Sequence, residues 1–262
     1  MNSIQNLFSL AGKTAIVTGA NTGLGQGICV ALAAAGAHVF GVARRSCEET
    51  LNKVNEVGGQ FTEVIADLSD LSAIEKIMTE VKSKTERIDI LVNNAGIINR
   101  ADAIDVTVAE WDQVIDLNQK LVFFLSQAVA KDWIADQKGG KIINICSMLS
   151  YQGGIRVPAY TTSKSGVAGL TRALANQWAI HNINVNAIAP GFILTDQNRS
   201  LLTNPDGSLT PRAQTIISHT PFGRFLEPEE LLGTLHWLAS DASKAVTGTV
   251  AVVDGGFDAF SI

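Results

Sequence analysis

Tyr160 and Lys164 stand four residues apart, and Ser147 lies thirteen residues before the tyrosine, in the stretch SMLSYQGGIRVPAYTTSK. Residues four apart on one helix share a face, so the lysine ammonium can sit beneath the phenol. A free phenol has a pKa of about 10, too high for an efficient base near neutrality, and an adjacent positive charge favours the phenolate. Ser147, leaving the end of an apolar run, could hold a substrate oxygen beside the tyrosine hydroxyl. The three residue types make a proton-transfer device for an alcohol or a carbonyl. The plainer alternative is a helix-surface pair and a turn serine, so the rest of the chain must be asked for a hydride carrier.

TGANTGLG follows the first strand-like run and leads into an alanine-rich helical segment. Glycines at 19, 23 and 25 allow a sharp turn, close approach to a pyrophosphate and tight packing of the helix on the sheet, while the helix N-terminus supplies amide donors and a positive dipole end. Between strand and helix this pattern points to a dinucleotide, with Gly19, Asn21, Thr22, Gly23, Leu24 and Gly25 around its phosphates. The second run ends FGVARRS, with Ala43 where an acid for a ribose 2′-hydroxyl is often found and Arg44 next to it. A guanidinium suits a 2′-phosphate, so NADP is the expected cofactor and NAD the alternative; the competing reading makes Arg44 and Arg45 ordinary solvated charges. Asp67, followed by Leu68, either accepts from an adenine amino group or serves the next helix. Asn94, Ala95 and Gly96 of NNAG can bring the backbone close to a ribose.

The elements that must position these residues are short β-branched runs alternating with helical patterns. KTAIVTG, AHVFGVA, FTEVIAD, IDILVNN, GKIINIC, INVNAIA and TGTVAVVDG are seven strands, apolar on both parities as strands between two helical layers should be. Strands separated by helices imply right-handed crossovers, and the expectation is an α/β fold of Rossmann type: one doubly wound parallel seven-stranded sheet with helices on both faces, residues 1–262 as a single domain. Asp70 and Thr107 are plausible N-caps, and one long helix is expected after the fourth strand. Residues 195–225, with Pro205, Gly207, Pro211 and Pro221, read as a lid-like segment over the sheet's carboxyl edge or as a surface loop.

At 262 residues and 46% hydrophobic, the chain can bury one large core, and its net charge of −5 argues against general attraction to nucleic acid or anionic membranes. No apolar run or leader-like N-terminus points to a membrane, and a cytoplasmic protein is expected. Cys29, Cys47 and Cys146 are scattered and odd in number, and the four histidines show no metal spacing, so neither bridges nor a metal site are expected.

With TGANTGLG, NNAG, Asn118, Ser147, the Tyr160 and Lys164 pair, and PGFILT in this order, the chain resembles the short-chain dehydrogenase/reductase family over nearly its whole length. The resemblance implies a catalytic tetrad of Asn118, Ser147, Tyr160 and Lys164, with Asn118 positioning a water that relays protons from the lysine. It also implies that Lys164 and Tyr160 meet the cofactor, that Pro190, Gly191, Ile193 and Thr195 surround the nicotinamide, and that the protein is a homo-oligomer, commonly a tetramer. Within the family the stretch from Lys141 to Gly191 is similar to members acting on deoxy-ketogluconates. The segment after Gly191 and the ending VDGGFDAFSI are more similar to members interconverting uronates and aldonates. A sugar acid is therefore the expected substrate, through its secondary alcohol or ketone. Arg156 is the expected carboxylate anchor, unless it stabilises its loop or a subunit contact, and Gln152, Arg100, Gln197 and Arg199 are further substrate contacts beside Ser147 and Tyr160. A general carbonyl or 3-oxoacyl reductase and a noncatalytic dinucleotide-binding protein are the competing functions.

Overall fold

The computed structural model describes residues 4–194 and 196–260, without the side chains at 196, 197 and 200. All seven expected strands form: β1 (Thr14–Thr18), β2 (His38–Ala43), β3 (Gln60–Ile65), β4 (Ile90–Asn93), β5 (Gly140–Ile145), β6 (Ile183–Pro190) and β7 (Val250–Val253). They pair in parallel as one sheet of order β3-β2-β1-β4-β5-β6-β7. Its β-branched strands are apolar on both parities because each face carries its own core. Ala15, Val17, Ile90, Val92, Ile143 and Ile145 point to one side. Ile16, Leu91 and Ile142 point to the other.

On the first face lie α2 (Gly23–Ala34), which contributes Ile28 and Leu32, and α10 (Leu232–Ala239), which contributes Leu235 and Leu238. On the second face, α4 (Ala73–Lys82), α6 (Leu121–Ala135) and α7 (Pro158–Trp178) bring Ile77, Leu125 and Leu174. Two smaller helices, α1 (Ile4–Phe8) and α3 (Glu48–Glu56), precede β1 and β3. No helix among the described residues is long and apolar enough to cross a membrane.

Two helix starts compare differently with the sequence. Thr107 caps α5 (Val108–Ile115) through a reciprocal capping box with Glu110. Asp70 does not cap α4: the N-cap position is Ser72, and the Asp70 carboxylate instead accepts from the Ser72 amide at 2.8 Å in a turn one step earlier. The long helix expected after β4 is interrupted. Between α5 and α6 residues Asp116–Lys120 widen into a π-turn whose buried member is Asn118.

Residues 195–225 carry two short helices, α8 (Asp196–Leu202) and α9 (Pro211–Ser218). They are held by an apolar cluster of their own: Leu202, Ala213, Ile216 and Phe225, packed against Phe192, Leu194, Ile217 and Phe257. This cluster is separate from both sheet cores and sits over the carboxyl ends of β6 and β7. It positions α9 above the ends of the strands that carry the chemistry.

Candidate active site

The strand order reverses between β1 and β4, which opens a crevice at their carboxyl ends. Thr18 and Asn94 tie the two strands there. The Thr18 hydroxyl accepts from the Asn94 and Ala95 amides, each at 3.0 Å, and the Asn94 side chain donates to the Thr18 carbonyl at 2.9 Å. The resulting cavity, of about 460 Å³, is lined by Gly19, Asn21, Thr22, Gly23, Leu24 and Gly25 on one wall and by Asn94, Ala95 and Gly96 on another; Arg44, Arg45, Asp67 and Leu68 close its far end.

The glycines are required by the geometry. Gly19 (φ 70°) and Gly23 (φ 56°) adopt left-handed backbone, and a Cβ on Gly25 would stand 2.0 Å from the Gly19 carbonyl oxygen. Thr22 occupies the N-cap of α2 without a side-chain hydrogen bond, so no side chain satisfies the first-turn amides. An uncapped helix start behind a glycine cradle fits a pyrophosphate, and two arginines with no acid at the β2 end fit an added phosphate. Asp67 keeps its carboxylate below its ordinary pKa through hydrogen bonds from the Ser69 amide and hydroxyl, with Arg44 adding a smaller pull.

A second cavity of about 940 Å³ shares Leu24, Asn94, Gly96 and Ile97 with the first and continues it towards α7. Ser147, Tyr160 and Lys164 line it, with Pro190, Gly191 and Ile193 on the β6 side. Thr195 lies outside the described residues. Pro158 opens α7, so Tyr160 and Lys164 fall in its first two turns on one face, the lysine nitrogen 5.7 Å from the phenol ring centre. The Ser147 hydroxyl accepts from the Leu149 amide at 3.1 Å, which leaves its own proton to donate into the cavity.

Burial pushes the Tyr160 phenol above its ordinary value, and the Ser147 hydroxyl and Arg100 pull it down. The lysine is itself lowered by burial, and its ammonium donates to the Ile145 carbonyl at 2.6 Å. Asn118 is held on both sides. Its amide accepts from the Ile97 amide at 2.8 Å and donates to the Ile97 carbonyl at 2.9 Å and to the Ser163 hydroxyl at 3.2 Å. Ser163 in turn donates to the Tyr160 carbonyl at 2.7 Å. The Asn118 amide thus clamps the strand-end loop to α7. Ser163 was not legible in the sequence, because a serine inside a helix carries no signal of its partner.

Of the two readings of Arg156, the structure shows the loop contact: its backbone is left-handed (φ 64°), its guanidinium pairs with Asp102 at 2.9 Å, and it is not among the residues lining the cavity, although Ile155 and Val157 are. Arg100 does line it, as does Gln152, whose amide is held by Asp258 at 2.9 Å. Arg199 is exposed on α8 and not among the lining residues, and the Gln197 side chain lies outside the described residues. Arg212 on α9, which the sequence did not single out, also lines the cavity, and its charge adds to burial in holding the Arg100 guanidinium below its ordinary pKa.

A doubly wound sheet with a glycine cradle at its switch point and a phenol, hydroxyl and ammonium at the adjoining cavity defines a dinucleotide-dependent oxidoreductase. The short chain dehydrogenase family model matches residues 13–206, and the chain belongs to that family. It is 50% identical to 2-dehydro-3-deoxy-D-gluconate 5-dehydrogenase of Dickeya dadantii (strain 3937) over 97% of this chain and 98% of that one. A crystal structure from Agrobacterium tumefaciens with bound NADP is 47% identical, with a TM-score of 0.89 over 97% of this chain and 99% of the other. A gluconate 5-dehydrogenase from Burkholderia cenocepacia J2315, in complex with NADP and tartrate, is 32% identical, with a TM-score of 0.89 over 99% of this chain and 100% of the other.

Proposed function

We propose that the protein interconverts a secondary alcohol and a ketone on a sugar acid of the deoxy-ketogluconate, uronate or aldonate class, using NADP in preference to NAD. The observation that carries this reading is the charge of the larger cavity. Its described lining residues include Arg100, Lys164 and Arg212 and no aspartate or glutamate. A concave site with positive charge alone attracts and orients an anionic substrate. The similarity to a 2-dehydro-3-deoxy-D-gluconate 5-dehydrogenase supports the deoxy-ketogluconate class. Arg44 and Arg45 beside Ala43 support NADP.

When bound, the nicotinamide accepts hydride in oxidation and donates it in reduction. The loop from Gly19 to Gly25 would hold the pyrophosphate, Asp67 and Leu68 the adenine end, and Lys164 the ribose hydroxyls next to Pro190, Gly191 and Ile193. In oxidation the Tyr160 oxygen takes the alcohol proton; in reduction it returns a proton to the forming alkoxide. Ser147 donates its proton to the reacting oxygen and so favours charge developing there. Asn118, whose side chain holds Ile97 and, through Ser163, the backbone of Tyr160, completes the tetrad by positioning a water that relays protons from Lys164. Helices α8 and α9 cover the substrate. A cytoplasmic homotetramer completes the reading.

The test is a matrix of NAD and NADP against keto and hydroxy sugar acids, followed by absorbance of the reduced cofactor in both directions. Turnover of at least one such acid is expected, faster at limiting NADP than at limiting NAD. Tyr160→Phe is expected to bind cofactor as the parent does and to lose most turnover. Wild-type rates in that variant would remove the proton-transfer assignment.

A further inference from the structure

We infer that Arg212 and Arg100 form a split grip on the substrate carboxylate, one guanidinium from the cap helix α9 and one from the loop after β4, and that this grip selects acids over neutral sugars of the same skeleton. The inference rests on the sugar-acid reading above and deepens it by naming how the acid group is recognised.

The two arginines reach the cavity from unconnected parts of the chain. Arg100 follows the NNAG turn at the fixed sheet edge, whereas Arg212 shares one face of α9 with Thr215 and Ile216, all three lining the cavity. That orientation is set by packing, since Ala213 and Ile216 belong to the apolar cluster holding α9 over the sheet.

Three other arginines of the fold use their guanidiniums internally. Arg87 pairs with Asp89, Arg156 with Asp102 and Arg224 with Glu230. The guanidiniums of Arg100 and Arg212 make no hydrogen bond or ion pair with any described residue. Both line the one cavity, and the Arg100 guanidinium is held below its ordinary pKa by burial first and by Arg212 second, with Tyr160 acting the other way. Two like charges converging on one partly desolvated cavity, without an acid between them, are relieved by an anion that accepts from both. A carboxylate has two oxygens and can accept from two guanidiniums at once.

The third cation does not compete for that group. The Lys164 ammonium already donates to the Ile145 carbonyl and lies beside the Tyr160 ring. The carboxylate is therefore drawn to the arginine end, and the reacting carbon is left for Tyr160 and Ser147. The acid group thus sets which carbon is presented to the phenol.

Steady-state kinetics of Arg212→Met, Arg100→Met and the double variant test this, with the best sugar acid from the matrix and the neutral sugar carrying a hydroxymethyl group in place of its carboxylate. Each single variant is expected to raise KM for the acid about tenfold or more, the scale of one charge-assisted hydrogen bond. In Arg212→Met turnover number should change little and activity on the neutral sugar should be unaffected, so the preference for acid collapses; Arg100→Met, which also removes a charge acting on Tyr160, is read by its KM for the acid against the neutral sugar. Arg212→Lys should restore part of the lost affinity, and the double variant should lose less than the product of the single losses because both act on one group. Cofactor titration by fluorescence confirms that each variant is folded. An unchanged KM for the acid in Arg212→Met, or an equal loss for acid and neutral sugar, overturns the grip while leaving the sugar-acid reading intact. A wild-type protein that binds NADP and turns over no acid overturns both.

Discussion

At the scale of single residues, proximity in sequence and proximity in space part company at Arg156. It lies four residues before Tyr160, yet it is paired with Asp102 and is not among the residues lining the cavity. Arg156→Ala is accordingly expected to leave KM for the acid within about twofold of the parent, since an exposed ion pair contributes only about 0–1 kcal/mol to stability and nothing to substrate contact. A large rise in KM would restore it as an anchor. The phenol gives a second prediction. Because burial raises Tyr160 above its ordinary value, only a small phenolate fraction is present at neutral pH. In the oxidation direction kcat/KM should climb with pH well into the alkaline range, and in reduction, where the protonated phenol is the reactive form, it should fall there. A pH–rate profile of oxidation that peaks on the acid side of neutrality contradicts this assignment. Ser147, Tyr160 and Lys164 were legible because the chemistry constrains both residue type and spacing. Arg212 was not: a charge on a surface helix looks solvated until the fold shows what the helix covers.

At the scale of elements, the seven strands were readable because burial on both faces forces continuous apolar runs, which surface elements do not show. Local capping was readable at Thr107, where the threonine and Glu110 satisfy each other's backbone amides. Thr107→Ala should destabilise the protein by about 1 kcal/mol, measured by denaturant unfolding with unchanged m-value, and leave cofactor affinity unaffected. An effect on cofactor affinity would show that α5 does more than support the site. The π-turn at Asp116–Lys120 was invisible in advance because its partner is tertiary: the Asn118 amide is bonded to Ile97, twenty-one residues earlier in the chain. Helices α8 and α9 were equally hidden. Their seven and eight residues are too short to show a clear period, and the apolar cluster beneath them makes up what local propensity lacks.

At the scale of the whole molecule, the alternation of strands and helices foretold a parallel sheet, whereas the crevice between β1 and β4 follows from a strand order that no local pattern encodes. Apolar side chains remain on the outer surface, among them Val108, Phe124, Ile180 and Val252 on α5, α6, the end of α7 and the edge strand β7. Their association with further copies of the chain is expected to give a particle of about four chain masses by light scattering at micromolar concentration. A single-chain mass would remove the tetramer. The independent cluster beneath α8 and α9 has an evolutionary consequence. Since Leu202, Ala213, Ile216 and Phe225 pack among themselves and with Phe192, Leu194, Ile217 and Phe257, and not into either sheet core, the cap can be exchanged as a module. Recombination that replaces the segment from Phe192 to Phe225, with Phe257 matched to it, can redirect the fold to a new acid, while the proton-handling residues just after β5 and on α7 pass unchanged between descendants.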